Sequence, residues 1–436
     1  MFKNALPIKI LFFAFFSANI VIIFFGWFTY SGALLNGPSL DVILALGRIT
    51  GLLAVYGIMW QLLLIGRIKL LERILSFDKG LSLHHWLGIG TLIFIVAHPI
   101  LVTLAYAEKN QVTLWHQIIS FFSYWEDVNV AIISIGLFIF ATIISLHVIK
   151  KKLNYEFWYA AHLSFYLAIF LAFGHQLSTG GDFLFQPWFR VYWALLYIAM
   201  IGTFVFSRFI QPLLLWKRHR FVVESITQES TNIHSITIVG KNMNTFTFSA
   251  GQFAIMRFFT KSLFAEAHPF SFSAHQNHKY LRITFKELGD FTKRLLLAKP
   301  GTMVLIDGPH GGMTSETSTH ENIILIAGGI GVTPLLTLAE TFSKQGKNIN
   351  FFYSAKEEKD FIFQKEISSL NNTRLHTFCS SKQERLTINT IIESATSWKE
   401  SDIYICGPSN FSTQFIKNFK KLGLKSSQLH AEKFSF

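Results

Sequence analysis

Cysteine is nearly absent from this 436-residue chain: two occur, Cys379 and Cys406, both in the second half. A disulfide framework is therefore not indicated, and the lack of any CxxC or CxxCH string removes the usual zinc pairs and covalent haem attachment. Charge is scarce at 15% of residues, and it is concentrated in the second half. Proline numbers only 10, with no proline-rich tail of the kind that docks activators, and no EF-hand loop precedes the first apolar run. Calcium control and an obligatory protein activator are accordingly not expected.

What the chain has in quantity is apolar surface, with 51% hydrophobic residues, 46 Phe and a mean hydropathy of +0.38. Apolar runs at 8–30, 42–66, 86–107, 128–149, 156–177 and 191–212 are each long enough to cross a hydrocarbon core. Six spans are predicted, and they must be helices because bare backbone cannot face lipid. The first run follows Lys3 and Lys9 but is longer than a secretory signal core and lacks a small-residue cleavage site, so it counts as a span.

Basic residues gather in alternate connections: Arg67, Lys69, Arg73 and Lys79; Lys150, Lys151 and Lys152; Lys217, Arg218 and Arg220. The other connections carry Asp41, Glu108, Asp127 and Asp182. The positive-inside rule then places both termini and the second half on the cytoplasmic side of a cell (inner) membrane. The net charge of +13 is largely explained by these clusters, so membrane lipid, rather than nucleic acid, is the expected partner.

Ionisable groups inside spans are rare and mark function. His84 and His98 lie in the third run, His162 and His175 in the fifth. On a helix the first pair is about 21 Å apart and the second about 20 Å, so the pairs sit at matching depths. His84 is expected to face His162 toward the cytoplasm, and His98 to face His175 on the outer side. Thirteen residues do not return to one helical face, which implies either a rotated second site or an irregularity near Gly174. Two axial imidazoles leave haem iron no open position, so such a haem relays electrons. One zinc ion cannot reach both ends of either pair. His85 is the alternative to His84, while His116 and His147 lack matched partners and are expected in the core or at the interface.

The strings HHWLGIGTLIFIVAH and HLSFYLAIFLAFGH resemble the transmembrane domain of the NADPH oxidase and ferric reductase superfamily. The resemblance implies two b-type haems held by His84, His98, His162 and His175, with Gly88 favouring His84 over His85. It also matches Arg48, in LGRITG, to a basic residue near the outer haem and acceptor; an interfacial, snorkelling arginine is the other reading. Val102 stands where animal oxidases carry a further histidine, which weakens the expectation of dioxygen as acceptor.

From about Arg218 the texture changes to short β-branched and aromatic segments, FVVESI, HSITIV, FTFSAGQFAIMRF and YLRITFKEL, which predict an antiparallel barrel. Beyond residue 320 strands alternate with glycine turns and helices, predicting a parallel sheet with covering helices. The expected architecture is a six-helix transmembrane bundle over 1–215, an antiparallel β-barrel FAD domain over 216–315, and an α/β parallel-sheet NAD(P)H domain over 316–436.

HPFSFSA at 268–274 resembles the flavin signature of the ferredoxin reductase superfamily. The resemblance puts His268, Pro269, Phe270 and Ser271 beside the isoalloxazine and its linker, with Ser273 in the same segment. In KELGDFT it puts Lys286, Gly289 and Thr292 at the FAD pyrophosphate, where hydroxyl and backbone donors plus a cation suit a diphosphate. GGIGVTP follows an apolar strand and opens a helix, so Gly328, Gly329 and Gly331 permit close approach of a pyrophosphate, with Thr333 and Pro334 beginning the helix. It resembles the NAD(P)H-binding turn of the same superfamily. CGPSN follows the strand DIYI; the resemblance brings Cys406 to the nicotinamide, with Gly407 and Pro408 completing the turn. The ending LHAEKFSF matches the family's H-x-E-x-F as His430, Glu432 and Phe434, whose ring would cover the flavin; Phe436 competes for that role.

Together these features imply electron transfer from NAD(P)H through FAD and two haems to a small-molecule acceptor, dioxygen or a ferric chelate. A haem subunit feeding a quinone or partner protein is the rival, and the complete flavin and nicotinamide motifs argue against it. Lys356 and Arg385 suit a 2′-phosphate, whereas Glu357 and Glu358 oppose it, leaving NADH and NADPH both open.

Overall fold

The computed structural model describes residues 5–75, 77–125, 127–146, 153, 155–383 and 385–433. His147, Lys150, Lys151, Lys152, Phe434 and Phe436 lie outside the described residues. The chain divides into two compact units: one comprises 6–66 and 81–204, the other 67–80 and 205–436 with the first five residues.

Among the described residues, six helices are long and apolar enough to cross a membrane: Pro7–Asn36, Ser39–Ile65, Lys79–Lys109, Val128–Ser145, Phe157–Thr179 and Pro187–His219, here spans 1 to 6. Several of their polar groups turn inward. Ser134 in span 4 donates to the Ala168 carbonyl of span 5 at 2.7 Å, and Trp193 in span 6 donates to Gln176 of span 5 at 3.1 Å. Span 2 is the most buried, with half of an 18-residue apolar stretch of it inside the protein. Small residues permit this: a Cβ on Gly57 would stand 2.3 Å from the Thr91 hydroxyl of span 3. Span 5 is not continuous. Its helical segments Tyr155–His162, Ser164–Leu171 and Phe173–Thr179 are separated at Leu163 and Ala172, whose ψ angles of −16° and −10° tighten the turn relative to an α-helix. The irregularity expected near Gly174 is thus at Ala172, with a second at Leu163.

In the other unit, strands β1 (Val222–Ser230), β2 (Ile233–Val239) and β5 (Leu281–Lys286) form one antiparallel sheet in the order β1-β2-β5. Strands β3 (Phe253–Phe258), β4 (His268–Ser271) and β6 (Val304–His310) form another in the order β4-β3-β6. The two share a core that includes Phe221, Ile236, Met256, Phe258, Phe272 and Ile283. Where a single barrel was expected, the ladders form two sheets, joined at their edges by the bridges Val222 to Met303 and Phe272 to Ile283 and by neighbouring backbone hydrogen bonds such as Val304 to Phe221 and Ser273 to Arg282.

A five-stranded parallel sheet follows, in the order β11-β10-β7-β8-β9, with β7 at Asn322–Gly328, β8 at Asn348–Ala355, β9 at Thr373–Cys379, β10 at Ser401–Gly407 and β11 at Leu429–Lys433. Strand β7 is apolar on both faces because both are covered. Leu325 and Ala327 pack under helix Val332–Lys344, while Ile324 and Ile326 pack with Phe415 and Phe419 of helix Ser409–Lys421 on the other side.

Candidate functional site

In the membrane-spanning unit, His98 of span 3 and His175 of span 5 come together, their rings 6.3 Å apart. Both line a cavity of about 540 Å³ whose other walls are mostly aliphatic and aromatic, among them Leu52, Val55, Val102, Ile135 and Phe138. His98 Nδ1 is 2.7 Å from the Gly47 carbonyl of span 2. That bond assigns the proton to Nδ1 and leaves Nε2 as a lone pair for a metal, the usual outer-shell arrangement of a ligating histidine. The approach needs glycine: a Cβ on Gly51 would stand 2.7 Å from His98 Nδ1, and one on Gly47 2.9 Å from Val102. Gly47 and Gly51 are spaced as GxxxG, a close-packing motif of spans that was present in the sequence and signals this contact.

Arg48 lines the same cavity. It is held rather than free: Nη1 donates to Ser31 Oγ at 3.1 Å, and Ser31 donates to Asp182 Oδ1 at 2.8 Å. Asp182 lies between spans 5 and 6 and is 3% exposed. Burial pushes its carboxyl above the usual range, against the opposing pull of Ser31 and Arg48.

His84 and His162 occupy the other ends of spans 3 and 5. His162 Nδ1 is 2.9 Å from Ser145 Oγ of span 4, and its ring stacks on Trp158. No ring contact between His84 and His162 is seen among the described residues. His85 packs edge-on to Trp86. A large, apolar, histidine-walled cavity with paired imidazoles fits the donor set and shape that a haem requires.

In the other unit, the motif residues fall around the two sheets. His268 opens β4, half-buried, its ring 3.8 Å from that of Phe291 and its Nε2 3.4 Å from Glu266. Burial lowers its pKa despite that carboxylate. Pro269 follows it, and Phe270 and Ser271 are buried, Phe270 against the rings of Phe258, Phe285 and Phe291. Ser273 is fully buried in a ladder of hydroxyls, 2.7 Å from Thr284, which is 2.8 Å from Ser235. Lys286 meets Asp360 at 2.9 Å. Gly289 caps helix Asp290–Leu295, and Thr292 Oγ1 accepts from the Leu288 and Gly289 amides at 3.1 Å each.

The turn after β7 and the turn after β10 touch. A Cβ on Gly331 would stand 2.2 Å from the Cys406 carbonyl, and one on Gly407 would stand 3.0 Å from the Gly328 Cα. Gly329 has φ +55°, which suits glycine. Thr333 Oγ1 donates to the Ile330 carbonyl at 3.0 Å, and Pro334 is buried within helix Val332–Lys344. Pro408 lies against Gly328, at the start of helix Ser409–Lys421. Cys406 is fully buried, and burial, aided by Glu432, pushes its thiol well up, so it is neutral. Strand β11 pairs in parallel with β10, setting Glu432 opposite Cys406 and Lys433 opposite Gly407. The Glu432 carboxylate accepts from the Gly312 and Met313 amides at 2.9 and 3.3 Å. His430 stacks on Tyr404 with centroids 4.4 Å apart. Lys356 and Arg385 are exposed, while Glu357 pairs with Lys359 and Glu358 with Lys382.

The ferric reductase like transmembrane component family matches residues 50–173, the FAD-binding domain family 225–314, and the oxidoreductase NAD-binding domain family 325–417. The chain thus carries, in order, a ferric reductase like transmembrane component, an FAD-binding domain and an oxidoreductase NAD-binding domain. This oxidoreductase is 24% identical to ferric reduction oxidase 7 of Arabidopsis thaliana over 71% of the chain and 42% of that protein. It is 28% identical to flavohemoprotein B of Dictyostelium discoideum over 50% of the chain and 60% of that protein. The matches thus span 42–60% of the length of these two relatives. A ferredoxin reductase in carbazole 1,9a-dioxygenase aligns to 49% of the oxidoreductase and 68% of its own chain, with a TM-score of 0.45 and 17% identity.

Within the oxidoreductase, sequence reasoning missed Gly47 and Ser145, which orient His98 and His162, and Asp182, which holds Arg48 through Ser31. Each is a contact between residues far apart in the chain. Only the glycine pair left a local signal.

Proposed function

We propose that this multi-pass oxidoreductase carries electrons from cytoplasmic NAD(P)H through FAD and two b-type haems to an acceptor on the outer side, dioxygen giving superoxide. The observation that carries this reading is the His98–His175 pair on one apolar cavity, with His98 fixed by the Gly47 carbonyl. When bound, the cofactors supply hydride acceptance, one-electron release and relay. The chain's own residues hold and order them. His98 and His175 would ligate the outer haem through Nε2, and His84 and His162 the inner one. His268, Pro269, Phe270, Ser271 and Ser273 would frame the flavin, and Lys286, Gly289 and Thr292 its diphosphate. Gly328, Gly329, Gly331, Thr333 and Pro334, with Cys406, Gly407 and Pro408, would receive NAD(P)H. Phe434 or Phe436, following β11, would cover the flavin. Arg48, beside the outer cavity, would meet the acceptor, and a neutral Cys406 would bound the nicotinamide without reacting.

The name flavohemoprotein for one relative supports haem and flavin in one electron path. A second reading, reduction of a ferric chelate, is favoured by Val102 on the cavity wall and by the relative called ferric reduction oxidase. Purified protein reduced with dithionite is expected to give low-spin b-type bands, and NAD(P)H to drive superoxide release. Absence of those bands sinks the haem reading; ferric-chelate reduction that persists without oxygen, beside negligible superoxide, replaces dioxygen as the acceptor.

A further inference from the structure

His310, the last residue of β6, is 2% exposed, yet both ring nitrogens meet carboxylates. Nδ1 is 3.0 Å from Glu72 and Nε2 is 3.1 Å from Asp307. A neutral imidazole carries one N–H and satisfies one such acceptor; two carboxylates call for the imidazolium. Arg67 and Arg208 also meet Asp307, at 2.5 and 3.6 Å, and the Phe253 ring lies 6.0 Å from the imidazole. Burial alone would lower the His310 pKa, but Asp307 and Glu72 outweigh it and raise it to about 9. The same contacts hold Asp307 below the usual carboxylate range against its own burial. Buried ion networks are weak stabilisers compared with apolar packing of equal volume, so a network of this size points to a role in placement.

Its connections supply that role. Glu72 belongs to helix Lys69–Leu75, in the connection between spans 2 and 3, and the chain runs on from there into span 3 and His84. On the other side of His310 come the Gly312 and Met313 amides, bound to Glu432 of β11, which pairs in register with Cys406. From the β10 turn, the Glu432 contacts thus reach the Gly312 and Met313 amides, which follow His310 in the chain, and His310 in turn meets Glu72 in the connection that continues into span 3.

We propose that His310 is a positioning residue: it clamps the span 2–3 connection onto β6 and so sets how fast electrons from the dehydrogenase half reach the His84 end of span 3. The proposal rests on the electron-transfer reading above. The stabilisation that the His310 charge supplies is complete below the unfolded-state value and is lost as pH rises through about 9. The clamp should therefore open on the alkaline side, with Glu72, Asp307, Arg67 and Arg208 as the charges facing His310.

The test uses the full chain in nanodiscs, with His310→Gln and Glu72→Gln beside the wild type. Three quantities are read: deuterium uptake at 69–75, NAD(P)H-driven haem reduction, and NAD(P)H-driven reduction of ferricyanide. Both variants are expected to raise uptake and slow haem reduction at least tenfold, while ferricyanide reduction stays within twofold. Wild-type uptake should climb through about pH 9, and that of His310→Gln should be flat there. Unchanged uptake in both variants, haem reduction within twofold of wild type, or a parallel fall in ferricyanide reduction overturns the clamp. If His310→Gln fails to fold, Glu72→Gln decides alone. A wild-type protein without haem bands would sink the electron-transfer reading, while deuterium uptake still judges the contact.

Discussion

In the membrane-spanning unit Phe170 is 77% exposed and Ile198 69%, while Gln176 and Asp182 are buried; in the other unit every residue of β10 is buried and its apolar side chains fill the core. Lipid replaces the interior as solvent for the first unit, so its apolar surface carries little information and its buried polar groups carry most. In the second, buried polar groups are ordinary members of hydroxyl and ion-pair networks, as Ser273 and Asp402 are. There the informative residues are the glycines where two turns meet.

That contrast can be broken by experiment. The largest effect is expected from His98→Leu or His175→Leu: loss of one of two haem signals and a fall in transmembrane electron transfer on the order of 10²-fold or more, since even a residue supporting a metal ligand is worth about 10–100-fold. Retention of both spectra would show that these imidazoles are merely core residues. Gly51→Ala should displace His98 without touching its chemistry, weakening haem retention about 10–100-fold, as read by titration of the apoprotein.

On the soluble side, Gly331→Ala drives a methyl group into the Cys406 carbonyl. A loss of about 1–3 kcal/mol in thermal unfolding is expected for such overpacking, with the membrane spectra unchanged. Asp402 accepts from the Thr319 and His320 amides at 2.7 and 2.9 Å, and from the His320 ring. Although burial opposes ionisation, these donors, with His430, hold the carboxyl well below its ordinary value. Its contribution is therefore present above the unfolded-state pKa and lost as pH falls below about 4. Asp402→Asn should cost about 1.5–3 kcal/mol at neutral pH and progressively less in acid. The smallest effect is expected for Glu366→Gln, which loosens the bidentate pair with Arg282 on a partly exposed surface, by about 0.2–1 kcal/mol.

Legibility in the sequence divides along the same line. The six spans could be read because lipid imposes a minimum length on any crossing helix, and the parallel sheet because strand, turn and helix alternate visibly after residue 320. The breaks at Leu163 and Ala172 could not, since neither residue is a helix breaker. The hold of Glu72 on His310 joins residues far apart in the chain, and nothing local encodes it; for Gly47 and His98 the glycine spacing marks a close approach but does not name the partner. Two sheets stood where one barrel was expected because strand content specifies neighbours poorly; only the ladders decide which edges pair.

The two tightened turns of span 5 have an evolutionary corollary. A residue deleted between His84 and His98 would swing everything beyond it by about 100° around a continuous helix and turn one of the two histidines away from its proposed partner in span 5. The same deletion between His162 and His175 meets joints at Leu163 and Ala172 that already depart from ideal winding, where a small change in pitch can absorb the slip. Spacing in the third span is thus the rigid ruler of this architecture, and spacing in the fifth its adjustable one.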